Sequence, residues 1–294
     1  MPAPVPPISD VRALPSDQWD LVLRPKAGWF DLHLADLWRY RDLVLLFIWR
    51  DFAATYKQTI LGPLWYIITP VFTTLSFTLV FGQIAQISTD GLPQILFYML
   101  GITFWTYFSD CLNRTAGTFL SNAGIFGKVY FPRLSVPLST VVSNLIKFGI
   151  QLALFLAFLA VYYFRGANVH PQWAVLLTPV LILMLGAFGL GAGIIVSALT
   201  TKYRDFQLLI SFGVQLFMYA TPIIYPLSAI PAKYRWLIVL NPMTSIVEAL
   251  RFAFLGTGAL DYAHLAYSAG FIGVVLFLGI LLFSHVERTF MDTV

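Results

Sequence analysis

Long apolar runs constrain this sequence more than any other feature. A helix needs roughly 20 mostly apolar residues to cross ~30 Å of lipid hydrocarbon. Six runs meet this requirement, at residues 64–83, 92–112, 136–164, 175–199, 208–224 and 265–283. Only 11% of all residues are charged, against about 25% in soluble domains. The sequence therefore predicts an all-α integral membrane protein with six transmembrane helices.

The distribution of Lys and Arg predicts the orientation of these spans. With the N-terminus inside, the outside segments hold Arg165, Lys233, Arg235 and Arg251, and every other Lys or Arg except Lys147 lies inside. Cytoplasmic loops carry an excess of basic residues, so we expect a multi-pass protein of the cytoplasmic (inner) membrane with both termini in the cytoplasm. The same rule explains the net charge of +4, which therefore predicts a lipid bilayer and no nucleic acid as partner.

The first residues differ in composition from the rest. The stretch "MPAPVPPISDVRALPSDQWD" lacks the basic and apolar regions of a signal peptide. We expect residues 1–30 to be a flexible arm and residues 31–294 to form the transmembrane domain. Cys111 is the single cysteine, so we expect no disulfide within the chain and no metal site built on cysteines.

Two segments are apolar but too short to cross a membrane. In residues 36–59, "DLWRYRDLVLLFIWRDFAATYKQT", the apolar core at 43–49 would rise only ~10 Å as a helix. It predicts a helix along the membrane surface, either a simple anchor or a partner-binding element. Between spans five and six, two apolar pieces flank Asn241-Pro242. They predict a re-entrant helical hairpin, with a plain extracellular loop as the alternative.

Sequence motifs for catalysis are absent. The stretch "GIFGKV" at residues 124–129 has neither the glycine spacing nor the Ser or Thr of a P-loop. No HExxH or GxSxG motif occurs, and Asp110 is the only acid clearly inside a span. A membrane-embedded lipid-modifying enzyme would need paired acids, or a nucleophile with a base. We therefore expect a chain without catalytic residues of its own.

Polar and aromatic residues inside the spans remain to be explained. Asp110 and Lys147 are costly at membrane depth, and Arg114 stands one helical turn from Asp110. These three residues form either a polar patch along a conduit or a structural pair that locks two helices.

Glycines in "GAFGLGAG" of span four predict close helix packing. Aromatic residues of span two could stack on sugar rings, or form packing and lipid-interface contacts.

Four motifs resemble those of type-2 ABC exporter permeases that move O-antigen, capsule or teichoic-acid polysaccharides. They are "LWRYRDLVLLFIWRDFAATYKQTILGPLWYIITP", "GKVYFPRLSVPLS", "KYRDF" and "TPIIYPLSAIPAKYRWLIVLNPMTSIVEALR". The resemblance covers the chain from about residue 30 to its end. It implies a homodimeric permease that binds two copies of a cytoplasmic P-loop ATPase and exports a lipid-linked polysaccharide. ATP and Mg would bind the ATPase, so this chain itself would carry no cofactor. Export of a small amphipathic compound, such as a drug, is the alternative.

The resemblance also implies roles for particular residues. It places Arg50, Asp51, Tyr56, Lys57, Lys128, Tyr130, Phe131 and Arg133 at the surface that docks the ATPase. The helix with the first four would then be a gate helix, and Asn241-Pro242 would line the outer gate. For the substrate channel in the dimer, we expect contributions from Trp65, Phe72, Tyr98, Phe104, Trp105, Phe108, Phe217 and Tyr219.

Overall fold

The structure, a computed structural model, describes residues 38–56, 60–126, 131–200 and 205–293, and these residues form helices and loops without a strand. The helices are α1 (Arg41–Tyr56), α2 (Trp65–Phe77), α3 (Gln94–Ala116), α4 (Thr118–Phe126), α5 (Ser135–Phe164), α6 (Thr178–Thr200), α7 (Phe206–Tyr219), α8 (Ala232–Val239), α9 (Pro242–Leu255) and α10 (Tyr262–Thr293). The expected arm at residues 1–30 lies outside the described residues, as do Lys57, Lys128 and Tyr130.

Five helical segments of the described chain are long and apolar enough to cross a membrane. They are Gly62–Ile84, Gln94–Ala116, Ser135–Phe164, Trp173–Thr200 and Tyr262–Val286. Each one coincides with an apolar run recognised in the sequence. The described residues therefore confirm the prediction of helical structure with several apolar helices of membrane-spanning length.

The expected fifth span, residues 208–224, contains a helix shorter than the apolar run. This helix, α7, has 14 residues and is about 21 Å long, so the helical part alone is shorter than the ~30 Å of hydrocarbon. The helix ends at Tyr219, and Pro222 then disfavours helical backbone at Thr221. The pair α8 and α9, bent by 99°, adds a sixth crossing only if both helices are counted as one broken span.

Helix α3 lies at the centre of the bundle. In its most apolar stretch 78% of the residues are buried, whereas the corresponding figures are 17% for the first span and 17% for α10. It packs against α2, α5, α6, α7 and α9. A central helix of this kind has little surface left for lipid or for a channel.

Glycines of α6 allow α3 to approach closely. A Cβ atom added at Gly186, Gly189 or Gly193 would lie within 2.7 Å of an α3 side chain. Gly191 faces the other way, where an added Cβ would lie 2.7 Å from the Cα of Leu276 on α10. The interpretation of these glycines as packing residues is confirmed, since α6 is wedged between two helices that leave no room for side chains.

The first span is an irregular helix. A 3-10 turn at Gly62–Leu64 precedes α2, Pro70 lies inside α2, and a π-helix at Thr78–Ile84 follows it. Gly82, in the π-helical part, packs against the side chain of Gln94 at the start of α3, where an added Cβ would lie 2.6 Å from Gln94 Cδ. π-Helices are rare and often occur at functional sites.

Candidate functional sites at the two ends of the bundle

At one end of the bundle, α1 packs on a cluster of aromatic and aliphatic side chains. The ring of Phe47 is 6% exposed and lies 5.6 Å, centroid to centroid, from the ring of Phe131. This inner cluster consists of Phe47, Phe119, Phe126, Phe131, Val136, Ile194 and Phe283. It joins α1 to the ends of α4, α5, α6 and α10. The helix expected along the surface is therefore also fixed to the bundle.

The inner cluster brings together the two stretches that the resemblance implicated in docking. The guanidinium of Arg50 lies 4.7 Å from the ring centroid of Phe47. That of Arg133 lies 5.5 Å from the ring centroid of Phe126. Arg50 also donates through Nε and Nη2 to Asp51 Oδ1, at 2.9 and 2.8 Å. Residues about 80 positions apart in sequence thus form one basic and aromatic surface.

Three of the eight expected docking residues, Arg50, Asp51 and Arg133, are partly exposed at this surface. Phe131 is 5% exposed and lies beneath it in the inner cluster. Tyr56 ends α1, but its side chain lies outside the described part of the chain. The remaining three are the undescribed Lys57, Lys128 and Tyr130.

The outward face of α1 is apolar. Trp38, Leu45, Leu46 and Trp49 are each at least 60% exposed. Trp49 stacks on Phe52, with ring centroids 6.0 Å apart. Apolar surface of this size on a short helix needs cover from lipid or from another protein.

The three ionisable residues of spans two and three form two cross-helix contacts. Lys147 Nζ donates to Asp110 Oδ2 at 2.5 Å, joining α5 to α3. Arg114 Nη1 donates instead to Asn144 Oδ1 at 3.3 Å. The spacing of Asp110 and Arg114 permits an ion pair, but the cation that contacts Asp110 comes from α5. Lys147 also lies 5.7 Å from the ring centroid of Tyr66. These contacts favour the structural-lock interpretation over the conduit.

The expected channel residues of span two lie in the protomer core. Tyr98, Phe104, Trp105 and Phe108 are exposed by 0%, 1%, 7% and 0%. Their rings contact aromatic residues of α5, α6, α7 and α9. Phe217 on α7 is half-buried against this group. A ring enclosed in this way presents no face to a channel, which corrects the expectation for span two.

Three expected channel residues remain at the surface. Trp65 and Phe72 on α2 are 49% and 66% exposed, and Tyr219 at the end of α7 is 46% exposed. They lie on the thinly covered first span and on the short helix α7. Of the eight expected channel residues, these three are the ones that the protomer leaves exposed.

At the opposite end of the bundle, Asn241 begins α9 with a side-chain cap. Its Oδ1 accepts from the backbone N–H of Met243 at 2.9 Å, and Pro242 follows at the first helical position. Its Nδ2 donates to the carbonyl of Ala220 at 3.2 Å and to Thr221 Oγ1 at 2.9 Å. Asn241 thus separates α8 from α9 and binds the chain that leaves α7.

Sequence analysis missed an ion pair next to this cap. Arg251 and Glu248 are exposed by only 2% and 7%, and Arg251 Nη1 lies 2.8 Å from Glu248 Oε1. Arg251 was counted among the cations of the outside segments, but it is buried on α9. The available signal was its spacing, since Glu and Arg three residues apart inside an apolar helix can pair on one face. Burial of two charges is tolerated where they pair.

Comparisons with known proteins agree with this architecture. The O-antigen export system permease protein RfbA of Klebsiella pneumoniae is 29% identical over 253 residues, covering 85% of this chain and 94% of that protein. The RfbA protein of Myxococcus xanthus is 28% identical over 261 residues, covering 88% and 98%. The polysialic acid transport protein KpsM of Escherichia coli is 24% identical over 247 residues, covering 83% and 93%.

The family model that matches is described as ABC-2 type transporter. It covers residues 42–255, from the start of α1 to the end of α9. The Asn241 cap and every residue of the inner cluster except Phe283 fall within this match. The chain belongs to the ABC-2 type transporter family.

Proposed function

We propose that this chain is the membrane-spanning permease subunit of an ATP-driven exporter of lipid-linked polysaccharide. The observation that carries the proposal is similarity along nearly the whole chain to proteins named for O-antigen export and polysialic acid transport. Relatives named for two different polymers support glycopolymer export as the shared activity. A smaller amphipathic compound remains the competing substrate.

The basic and aromatic surface at the inner cluster is the proposed docking site for the ATPase. Arg50 and Arg133 lie against aromatic rings of the inner cluster, and this cluster joins Phe47 of α1 to side chains of α4, α5, α6 and α10. A force applied to α1 would therefore reach the bundle directly. In this proposal α1 is the gate helix, its end of the bundle faces the cytoplasm, and two ATPase copies bind a permease dimer.

The exposed surface of α2 and α7 is the proposed channel wall. Phe72 and Tyr219 expose large aromatic faces, which offer broad contact at little cost in side-chain entropy. A long and hydrated polymer requires contacts that tolerate many sugar positions. In a homodimer the two copies of this surface would enclose the channel.

The bent pair α8–α9 is the proposed outer gate. Neither helix alone can cross the bilayer, and the pair bends by 99° at Asn241-Pro242. We infer that both helices dip into the membrane from the outside as a re-entrant hairpin. On the α9 side of the break, Pro242 and Met243 are buried in the bundle, which gives this part of the backbone the cover that a break at membrane depth requires.

A complementation experiment tests the proposed substrate. The native gene would be deleted, and cell-surface and intracellular polymer measured by blotting with and without the gene restored. The proposal expects lost surface polymer and intracellular accumulation in the deletion, with recovery on complementation. Normal surface polymer in the deletion would overturn it. Raised sensitivity to amphipathic compounds with unchanged polymer would instead favour small-molecule export.

A further inference from the structure

Arg251 makes more contacts than the neutralisation of Glu248 requires. Beyond the pair with Glu248, its Nη2 donates to the backbone carbonyl of Ile223 at 3.2 Å. Its Nη1 lies 3.4 Å from the carbonyl of Tyr225. Both carbonyls belong to the segment at residues 220–226, which connects α7 to the helix pair and is not helical. A single buried guanidinium thus holds α9 to the chain that leaves α7.

The segment at 220–226 depends on these contacts. Ile223 and Ile224 are 0% and 2% exposed, so water does not reach most of this backbone. Buried carbonyls outside regular structure need another donor. Arg251 supplies donors to two of them, and its planar fork can reach several acceptors at once.

Asn241 fastens the same segment at a second point. Its Nδ2 donates to Ala220 O and Thr221 Oγ1, while its Oδ1 caps α9. The residue that caps the start of α9 and a residue near the end of α9 therefore hold the two ends of one short segment. A segment held at two points cannot turn independently of the helix that holds it.

The contact of Arg251 with α3 is of a different kind. The guanidinium lies 4.1 Å from the ring centroid of Phe97. Attraction over a ring face is broad, whereas hydrogen bonds weaken steeply as their angle departs from linear. A small displacement of the guanidinium over Phe97 therefore costs less than a displacement relative to the carbonyls of the 220–226 segment.

We propose that Arg251 is a positioning residue that couples α7 to the bent pair α8–α9, so that the end of α7 and the pair move as one unit. The inference rests on the proposed role of the pair as outer gate, and it deepens that role by naming the link. A displacement of α7 next to the channel would then displace the gate as well, because the two are mechanically coupled. A purely neutralising role for Arg251 would require only Glu248.

The first test leaves Arg251 in place. Spin labels are attached at Gln215 on α7 and Leu237 on α8, both exposed, in the full exporter with Cys111 replaced by serine. Labelled copies are diluted with unlabelled ones, so that distances within one protomer dominate. The proposal expects one narrow distance population, with the same mean in the nucleotide-free and ATP-bound states. A shift between states of one helical turn or more, about 5 Å, overturns it.

The second test is Arg251→Lys, with Arg165→Lys as the matched control at an exposed arginine that ends α5, outside the gate. Lysine keeps the charge for Glu248 but lacks the fork that reaches two carbonyls. We expect the Gln215–Leu237 distribution to broaden in Arg251→Lys, and export to fall several-fold at matched protein level, while Arg165→Lys changes neither. A native distribution in Arg251→Lys overturns the proposal. If that variant does not accumulate, the first measurement decides.

The distances do not depend on which substrate is exported. Failure of the proposed coupling is therefore distinguishable from failure of the proposed function, which the polymer measurement tests by itself.

Discussion

Lys147 on α5 and Asp110 on α3 neutralise each other across the helix interface, with Nζ and Oδ2 2.5 Å apart. The side chains are only 26% and 29% exposed, so each charge depends on the other for its compensation. The pair joins the central helix to the longest neighbouring span. It is therefore a structural element whose loss is measurable.

Breaking this pair on one side should destabilise the protein more than removing both charges. For Asp110→Asn or Lys147→Met alone, we expect a loss of about 1 kcal/mol, because one charge remains unpaired in a partly exposed site. The double variant should recover most of that loss. Thermal melting of the purified protein in detergent measures all three. A double variant less stable than both single variants would contradict the interpretation as a structural pair. A stable double variant with reduced export would support the alternative interpretation, a polar patch along a conduit.

A methyl group at Gly189 should disrupt the packing of α3 against α6. The new Cβ would lie 2.6 Å from Cys111 Cβ and 3.0 Å from the carbonyl of Phe108. We expect Gly189→Ala to lower stability by about 1–3 kcal/mol, the usual cost of overpacking. Gly273→Ala is the matched control, because nothing lies within 4 Å of its added Cβ. Equal melting temperatures for the two variants would show that α6 is not tightly wedged.

Charge reversal at the inner cluster should weaken ATPase docking. We expect Arg50→Glu combined with Arg133→Glu to reduce co-purification of the ATPase subunit several-fold, because two cations of the proposed docking surface become anions. The permease itself should still insert in the membrane. Lys233→Glu with Arg235→Glu, at the other end of the bundle, is the control and should bind normally. Unchanged ATPase binding and ATP turnover in the first double variant would show that this surface does not dock the ATPase.

Cysteine labelling should establish the orientation. In a Cys111→Ser background, single cysteines replace Ser121 on α4 and Ala229 next to α8, both exposed. We expect an impermeant thiol reagent added to intact spheroplasts to label position 229 and not position 121. Permeabilised cells should show labelling at both. Labelling of position 121 alone in intact spheroplasts would invert the proposed topology.

Phe72 should contribute to the channel through its ring. Its side chain is 66% exposed on the proposed channel wall, so both Phe72→Ala and Phe72→Leu should reduce surface polymer at matched protein level. Phe164 is 85% exposed at the end of α5, and the same two substitutions there should have no effect. Wild-type export from Phe72→Leu would indicate a residue that faces lipid.

The long spans were predictable because crossing a bilayer requires a minimum apolar length, which composition records directly. Which aromatic side chains are buried was not predictable from the sequence. In a membrane protein, a ring facing lipid and a ring in the core are equally apolar, so Phe72 and Phe108 look alike in the sequence. They differ by exposures of 66% and 0%, which only the packing of α3 against its neighbours determines.

The two errors near Asn241 have separate causes. Apolar composition continues past Tyr219, and only Pro222 indicated that the helix would stop. Arg251 was expected to be exposed because charge counting treats every cation between two spans as exposed. The acid three residues before it was the signal for burial. A contact between a side chain and a backbone carbonyl, such as that of Arg251 with Ile223, leaves no pattern in the sequence, because every residue type has the same carbonyl.

The π-helical segment at Thr78–Ile84 has a consequence for how this chain can evolve. Such a segment accommodates an extra residue within a continuous helix. Since Gly82 is fixed against Gln94, deleting one residue there would rotate Trp65 and Phe72 by about 100° relative to α3. The first span would keep its composition and its ability to cross the bilayer. A change in gene length of one codon can thus redirect a whole helical face, which no single substitution achieves.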